Sequence, residues 1–149
     1  MNDTERFVNQ VRAYCEFVDG AHELDIDKRL ATARRHLLAL YSAALSLPAG
    51  VHRDEADVER QRPEEWPGFG EKDFYWEMFD PYVDEERVGA SLSDDVLDVY
   101  GDVGRGLGFW DAGHRERAVW EWRFAFETHW GDHTIDALRA LHRACGPSA

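Results

Sequence analysis

The run Trp120-Glu-Trp122-Arg-Phe124-Ala-Phe126, with Trp130 just beyond it, constrains the fold more than any other part of the chain. At helical pitch these rings surround almost the whole circumference of one helix. A helix apolar on every side belongs at the centre of a bundle, where other helices cover it. The alternative is that one side, Trp120 with Phe124, is exposed as a patch for a partner.

Stripes of helical spacing supply the covering elements. Phe7, Val11, Tyr14 and Val18 predict a helix over residues 4 to 19, with Gly20 as its stop. Leu30, Leu37, Tyr41, Ala44 and Leu45 predict a second over 27 to 47, closed by Pro48. Leu92, Val96, Val99, Val103 and Leu107 predict a third, starting after Ser91 or Ser93. The aromatic helix starts near His114, and its pattern resumes through Ala137, Leu138 and Leu141 to about Cys145, with Gly131 as a kink or a break. Residues 48 to 90 form a long excursion rich in Pro and Gly, in which 71 to 79 is expected to be a short helix docked by its aromatics. No stretch alternates convincingly as a strand. The expectation is an all-α bundle of about five to six helices, a single domain over residues 1 to 149.

Charge sets the function classes. Thirty acidic against seventeen basic side chains leave a formal charge of -13, which argues against nucleic acid and anionic membranes, since phosphate contacts need clustered Lys and Arg. A partner with a basic surface suits this balance. No apolar run approaches a membrane span. Cys15 and Cys145 stand near opposite ends of the chain with no framework around them, so reduced thiols in a cytoplasmic protein are expected, a bridge between the terminal helices being the alternative. Fifteen Arg against two Lys hint at a GC-rich bacterial genome.

Two polar strips interrupt the apolar stripes. Asp95, Asp98 and Asp102 share one strip of the third helix, about a turn apart. Ser93 can cap that helix, which would put Asp94 and Asp95 in its first turn, where negative charge suits the dipole. Asp98 and Asp102 lie beyond any cap; solvent, an ion pair with Arg105, or a site are their open readings. The second strip holds His129 and His133, four apart. His133 lies within the apolar stripe and is expected to be buried and hydrogen-bonded, with His129 the more accessible. If the strips face each other, they build a mixed His/carboxylate site, with Asp98, Asp102 and His133 as candidate ligands for a divalent metal such as magnesium or zinc. A structural role needs no cofactor. Arg34, in the middle of the second helix's stripe, requires a carboxylate, and Asp98 or Asp102 is the expected partner. The glycines from Gly104 to Gly108 form no phosphate loop, and no nucleophile motif is present.

In order along the chain, Leu40-Tyr41, Leu47-Pro48, Phe79-Asp80-Pro81-Tyr82, Ser91-Leu92, Asp94-Asp95, Asp98, Tyr100, Asp102, Trp120, Trp122, His129-Trp130-Gly131, His133, Ala137-Leu138 and Leu141 resemble a bacterial family known as domain of unknown function 5063. The resemblance spans nearly the whole chain and implies a small helical protein with no assigned activity. Asp95-Val-Leu-Asp98 also resembles the Glu-x-x-Asp motif of MazG-type nucleotide pyrophosphohydrolases, but the Glu-Glu-x-x-Glu that should precede it is missing, and with it half of a magnesium cage. The functional expectation is a protein-binding or adaptor module; the alternative is a divalent-metal-dependent hydrolase using the acidic strip and the histidine pair.

Overall fold

The computed structural model describes residues 1–146. Helix α1 (Asp3–Gly20) begins at a capping box: the Asn2 side chain accepts from the Glu5 amide while Glu5 reaches back to the Asn2 amide. Its stripe, Phe7, Val11, Tyr14 and Val18, is fully buried. Helix α2 (Ile26–Ala44) is capped by Asp25 and returns antiparallel through a short 3-10 turn. Arg29 is the buried cation of this corner. Its guanidinium donates to the carbonyls of Ala21, Leu24 and Gly68, so it needs no carboxylate.

After an extended segment come the strands β1 (Phe74–Glu77) and β2 (Val88–Ser91), an antiparallel pair with Phe74 opposite Ser91 and Glu77 opposite Val88. The short helix expected over 71 to 79 is therefore a 3-10 turn (Gly70–Lys72) followed by a strand. Its rings are spread over both faces of the strand: Phe74 and Trp76 point outward while Tyr75 turns in, a period of two rather than 3.6.

Helix α3 (Leu92–Asp111) starts at β2 and is capped by Ser91, not Ser93. Helix α4 (Arg115–Ala125) passes through a single π-helical turn (Phe126–Trp130) into α5 (Gly131–Cys145), so these three form one continuous helical element with one residue inserted. Gly131 marks the junction expected of it. The four long helical elements pack around Trp122 and Trp130, with α3 against α1, α4 and α5, and α2 against α1 and α5.

Buried rings find their partners on backbone. Trp122 donates to the Val103 carbonyl, Trp130 to Trp122, and Tyr14 to Val96. Gly106 makes the α3–α4 crossing possible, since a Cβ there would lie 2.1 Å from the Trp122 indole nitrogen. The aromatic helix is not enclosed all round. Trp120 and Phe124 stack on each other on its outer side, with Phe124 exposed and His52 leaning on Trp120. Within the described residues Cys15 and Cys145 are free thiols, and no helix is long and apolar enough to cross a membrane.

Candidate functional site

The two polar strips face each other. Helix α3 carries Asp95, Asp98 and Asp102 at positions i, i+3 and i+7, on the side turned toward the π turn and the start of α5. His129 Nδ1 lies 2.6 Å from Asp102 Oδ2, and His133 Nδ1 lies 2.7 Å from Asp95 Oδ1. A carboxylate only accepts, so each Nδ1 carries the hydrogen and each Nε2 is left out of those bonds. Nε2 of His133 is 3.2 Å and Nε2 of His129 is 4.0 Å from Asp98 Oδ2. The outer carboxylates are nearly buried while the imidazoles are half-exposed, 28% for His133 and 43% for His129. His133 is thus hydrogen-bonded and the more sheltered of the pair, as its phase implied, but it is not fully buried.

Arg34 does not join this cluster, and no carboxylate among the described residues lies within ion-pair distance of it; its side chain is partly exposed on α2. The cation in that place is Arg60, from the extended excursion. It pairs with Asp102, donates to the Asp98 carbonyl, and lies 3.6 Å from Asp98 Oδ1. Arg105 pairs instead with Glu121 and Asp57, leaving the acidic strip free of it. Asp94 and Asp95 do lie in the first turn of α3, as expected, but Asp95 has a second engagement. Asp73 serves the helix start, accepting from the Ser93 amide and hydroxyl and from the Phe69 amide, while Asp95 turns inward to Tyr75 and His133.

Beside the histidines opens a cleft of about 1430 Å³ between the β1–β2 hairpin and α5. Tyr75, Glu77, Asp132 and Asp136 line it, together with both histidines. Tyr75 donates to Asp95 and stands 3.4 Å from Glu77, and burial holds its phenol well above the ordinary range, so it remains a donor. Burial pushes the Asp95 carboxyl up, against the bonds from His133 and Tyr75 that pull it down. The bond to Asp95 in turn raises the His133 imidazole. Asp136 is pushed up to about 7, first by burial and then by its hydrogen bond with Glu77 and that residue's charge.

Arg60, Tyr75, Glu77, Asp132 and Asp136 escaped the sequence reading. Phe74-Tyr-Trp-Glu77 alternates in burial but not in residue type, so it carries no strand signal, whereas Asp132 and Asp136 repeat the spacing of His129 and His133 one face along. Arg60 has no signal, because one arginine among many in a charged segment looks like any other.

Chemically the cluster offers three donor atoms, one each from Asp98, His129 and His133, all within 4.8 Å of one another. The expected ligand set of Asp98, Asp102 and His133 is corrected at one position. Asp102 is engaged by Arg60 and by Nδ1 of His129, so the imidazole and not the acid faces the shared space.

The chain matches the family described as a domain of unknown function, DUF5063, over residues 2–145. Among solved structures it is similar to the crystal structure of protein BF1032 from Bacteroides fragilis, with a TM-score of 0.80 and 21% identity, covering 99% of this chain and 96% of that one. At that identity the likeness is one of fold. No curated protein matches the chain.

Proposed function

We propose that this chain, which belongs to the DUF5063 family, is a protein-recognition module whose cleft takes a basic segment of a partner protein. The observation that carries this reading is the rim of the cleft. Phe79 is 83% and Tyr82 97% exposed at the hairpin end, with Phe74, Trp76 and Met78 beside them. A contiguous set of exposed rings is unusual on a surface with nothing to cover it, and rings of this kind dominate the energetics of interfaces.

The charge of the lining selects the partner. Six carboxylates line the cleft against Lys72, Arg139 and Arg143, in a chain of net charge -13. Arg87 already lies 4.1 Å from the Trp76 ring centroid, so the hairpin holds one guanidinium on an exposed ring. An arginine- or lysine-bearing peptide would place cations between rim rings and floor carboxylates, with attraction that weakens as salt is raised. A bacterial, cytoplasmic setting goes with this reading, supported by two free thiols and an arginine-rich, lysine-poor composition.

Fluorescence anisotropy with a labelled arginine-rich peptide tests it, beside a charge-reversed peptide of the same length. The basic peptide is expected to bind, and Phe79→Ala with Tyr82→Ala to weaken it by about 1–3 kcal/mol, roughly 5- to 150-fold. These two rings support nothing in the fold, so their loss leaves stability unchanged. Equal binding of both peptides, or binding indifferent to the two substitutions, refutes the reading.

A further inference from the structure

We infer that Asp98, His129 and His133 form a binding site for one divalent transition-metal ion of the zinc class, with a coordination position open to the cleft. This inference is independent of the recognition reading, since it needs neither the rim rings nor a partner.

Nδ1 of each imidazole donates to a carboxylate, Asp102 for His129 and Asp95 for His133. In the neutral ring the other nitrogen then presents a lone pair. Both Nε2 atoms lie near one oxygen, Asp98 Oδ2, at 4.0 and 3.2 Å. Three electron-rich atoms around one point repel unless a positive species stands among them. Either each ring takes a second proton, or one cation replaces both protons.

The surroundings favour the cation. An imidazole whose far nitrogen is bonded to a carboxylate is the usual arrangement behind a metal-bound histidine, because the acid fixes the ring and raises its basicity. Here both rings have it, and both supporting acids are themselves held, Asp102 by Arg60 and Asp95 by Tyr75. The Arg60 guanidinium, the nearest fixed cation, approaches Asp98 at its other oxygen, Oδ1, and leaves Oδ2 to the histidines. The two rings meet edge to face, with planes at 81°, so neither stacks over the other.

Size and donor type choose the ion. Around a tetrahedral zinc with bonds of about 2.0–2.1 Å, neighbouring ligand atoms are about 3.3 Å apart. The 3.2 Å between His133 and Asp98 already meets this, while His129, at 4.0 Å, is the ligand that must move in. Two imidazoles and one carboxylate suit zinc, iron(II), cobalt(II) or nickel(II), whereas magnesium and calcium demand oxygen ligands. Three protein ligands leave a further position for water or another ligand. Both histidines line the cleft, which gives that position a route to solvent.

The test is isothermal titration of the untagged, chelator-treated protein with zinc, magnesium and calcium in parallel. A cobalt(II) spectrum reports coordination number. One zinc per chain is expected, no binding of magnesium or calcium at the same concentrations, and cobalt bands typical of four- or five-coordination. Asp98→Ala and His129→Ala should each abolish binding or weaken it more than tenfold, while His142→Ala, outside the cluster, leaves it unchanged. Asp98 and His129 are partly exposed, so both variants are expected to fold, which circular dichroism verifies. Asp102→Asn should weaken zinc by about 10- to 100-fold at unchanged stoichiometry, the effect of a residue that positions a ligand. No zinc binding, binding that survives Asp98→Ala and His129→Ala, or equal binding of magnesium would each overturn the assignment. If zinc fails while a basic peptide still binds, only the metal site falls.

Discussion

Replacing Gly131 by alanine tests the π turn that sets the histidines in place. The amide of Gly131 donates to the Phe126 carbonyl five residues back, closing the π-helical ring. A Cβ added at Gly131 would lie 2.3 Å from that carbonyl oxygen and 3.2 Å from Cδ1 of Phe126. Carbon–oxygen contacts normally begin at about 3.3 Å, so the overlap is close to 1 Å. A backbone oxygen held by a hydrogen bond cannot move aside cheaply. Relief costs about 1–3 kcal/mol of strain, plus about 0.5–1.5 kcal/mol if the bond is lost. Against this stands the helix preference of alanine over glycine, about 1 kcal/mol. With the bond lost, the net expectation is a destabilisation of about 0.5–3.5 kcal/mol, with Tm lower by roughly 2–4 °C for each kcal/mol in a chain of this size. Gly104→Ala is the internal control. Its Cβ would meet only the Cys15 sulfur, at an ordinary 3.9 Å, inside helix α3, and the same substitution there should be neutral or stabilising. Urea denaturation followed by tryptophan fluorescence reads both variants. If Gly131→Ala is as stable as the parent or more so, glycine is not required at the turn and the reasoning fails.

Asp136 makes the cleft sensitive to pH. Its folded pKa of about 7 lies above the unfolded value, so its favourable contribution is complete below about pH 4 and is lost as pH rises through 7. Asp136→Asn should therefore flatten the stability profile between those limits and raise stability at pH 8, by about 1–2 kcal/mol once solvent screening of a partly exposed group is allowed for. A variant whose profile runs parallel to the parent's would refute this. Arg60→Ala should cost about 1 kcal/mol, because it removes the cation from the nearly buried Asp102, whereas Arg34→Ala should change stability by less than about 0.5 kcal/mol. Chemical denaturation of the two variants side by side decides it, and the reverse order would return the acidic strip to Arg34.

The helices were legible in the sequence because each buries one stripe, and a stripe at helical pitch is visible without knowing what covers it. Phe7-Val11-Tyr14-Val18 is buried as one face, and Val96, Val99 and Val103 as another. The same periodicity put Asp95, Asp98 and Asp102 on one strip and His129 with His133 on a second, and ranked the two histidines correctly by exposure. It failed where a residue's fate depends on a distant segment. Nothing local distinguishes Arg60 from Arg34; the extended excursion carries Arg60 across α3, and only that path brings it to Asp102. Asp95 occupies the first turn as its sequence position implies, but its bonds to Tyr75 and His133 depend on where the hairpin and α5 pack. The strand Phe74–Glu77 exists because β2 pairs with it, and a four-residue strand has too short a pattern to announce itself. Local periodicity is a property of the chain alone, so sequence determined the helices and the two polar strips. Which strip meets which, which arginine joins them and which nitrogen atoms face the shared acid depend on how the elements cross, and tertiary structure decided these.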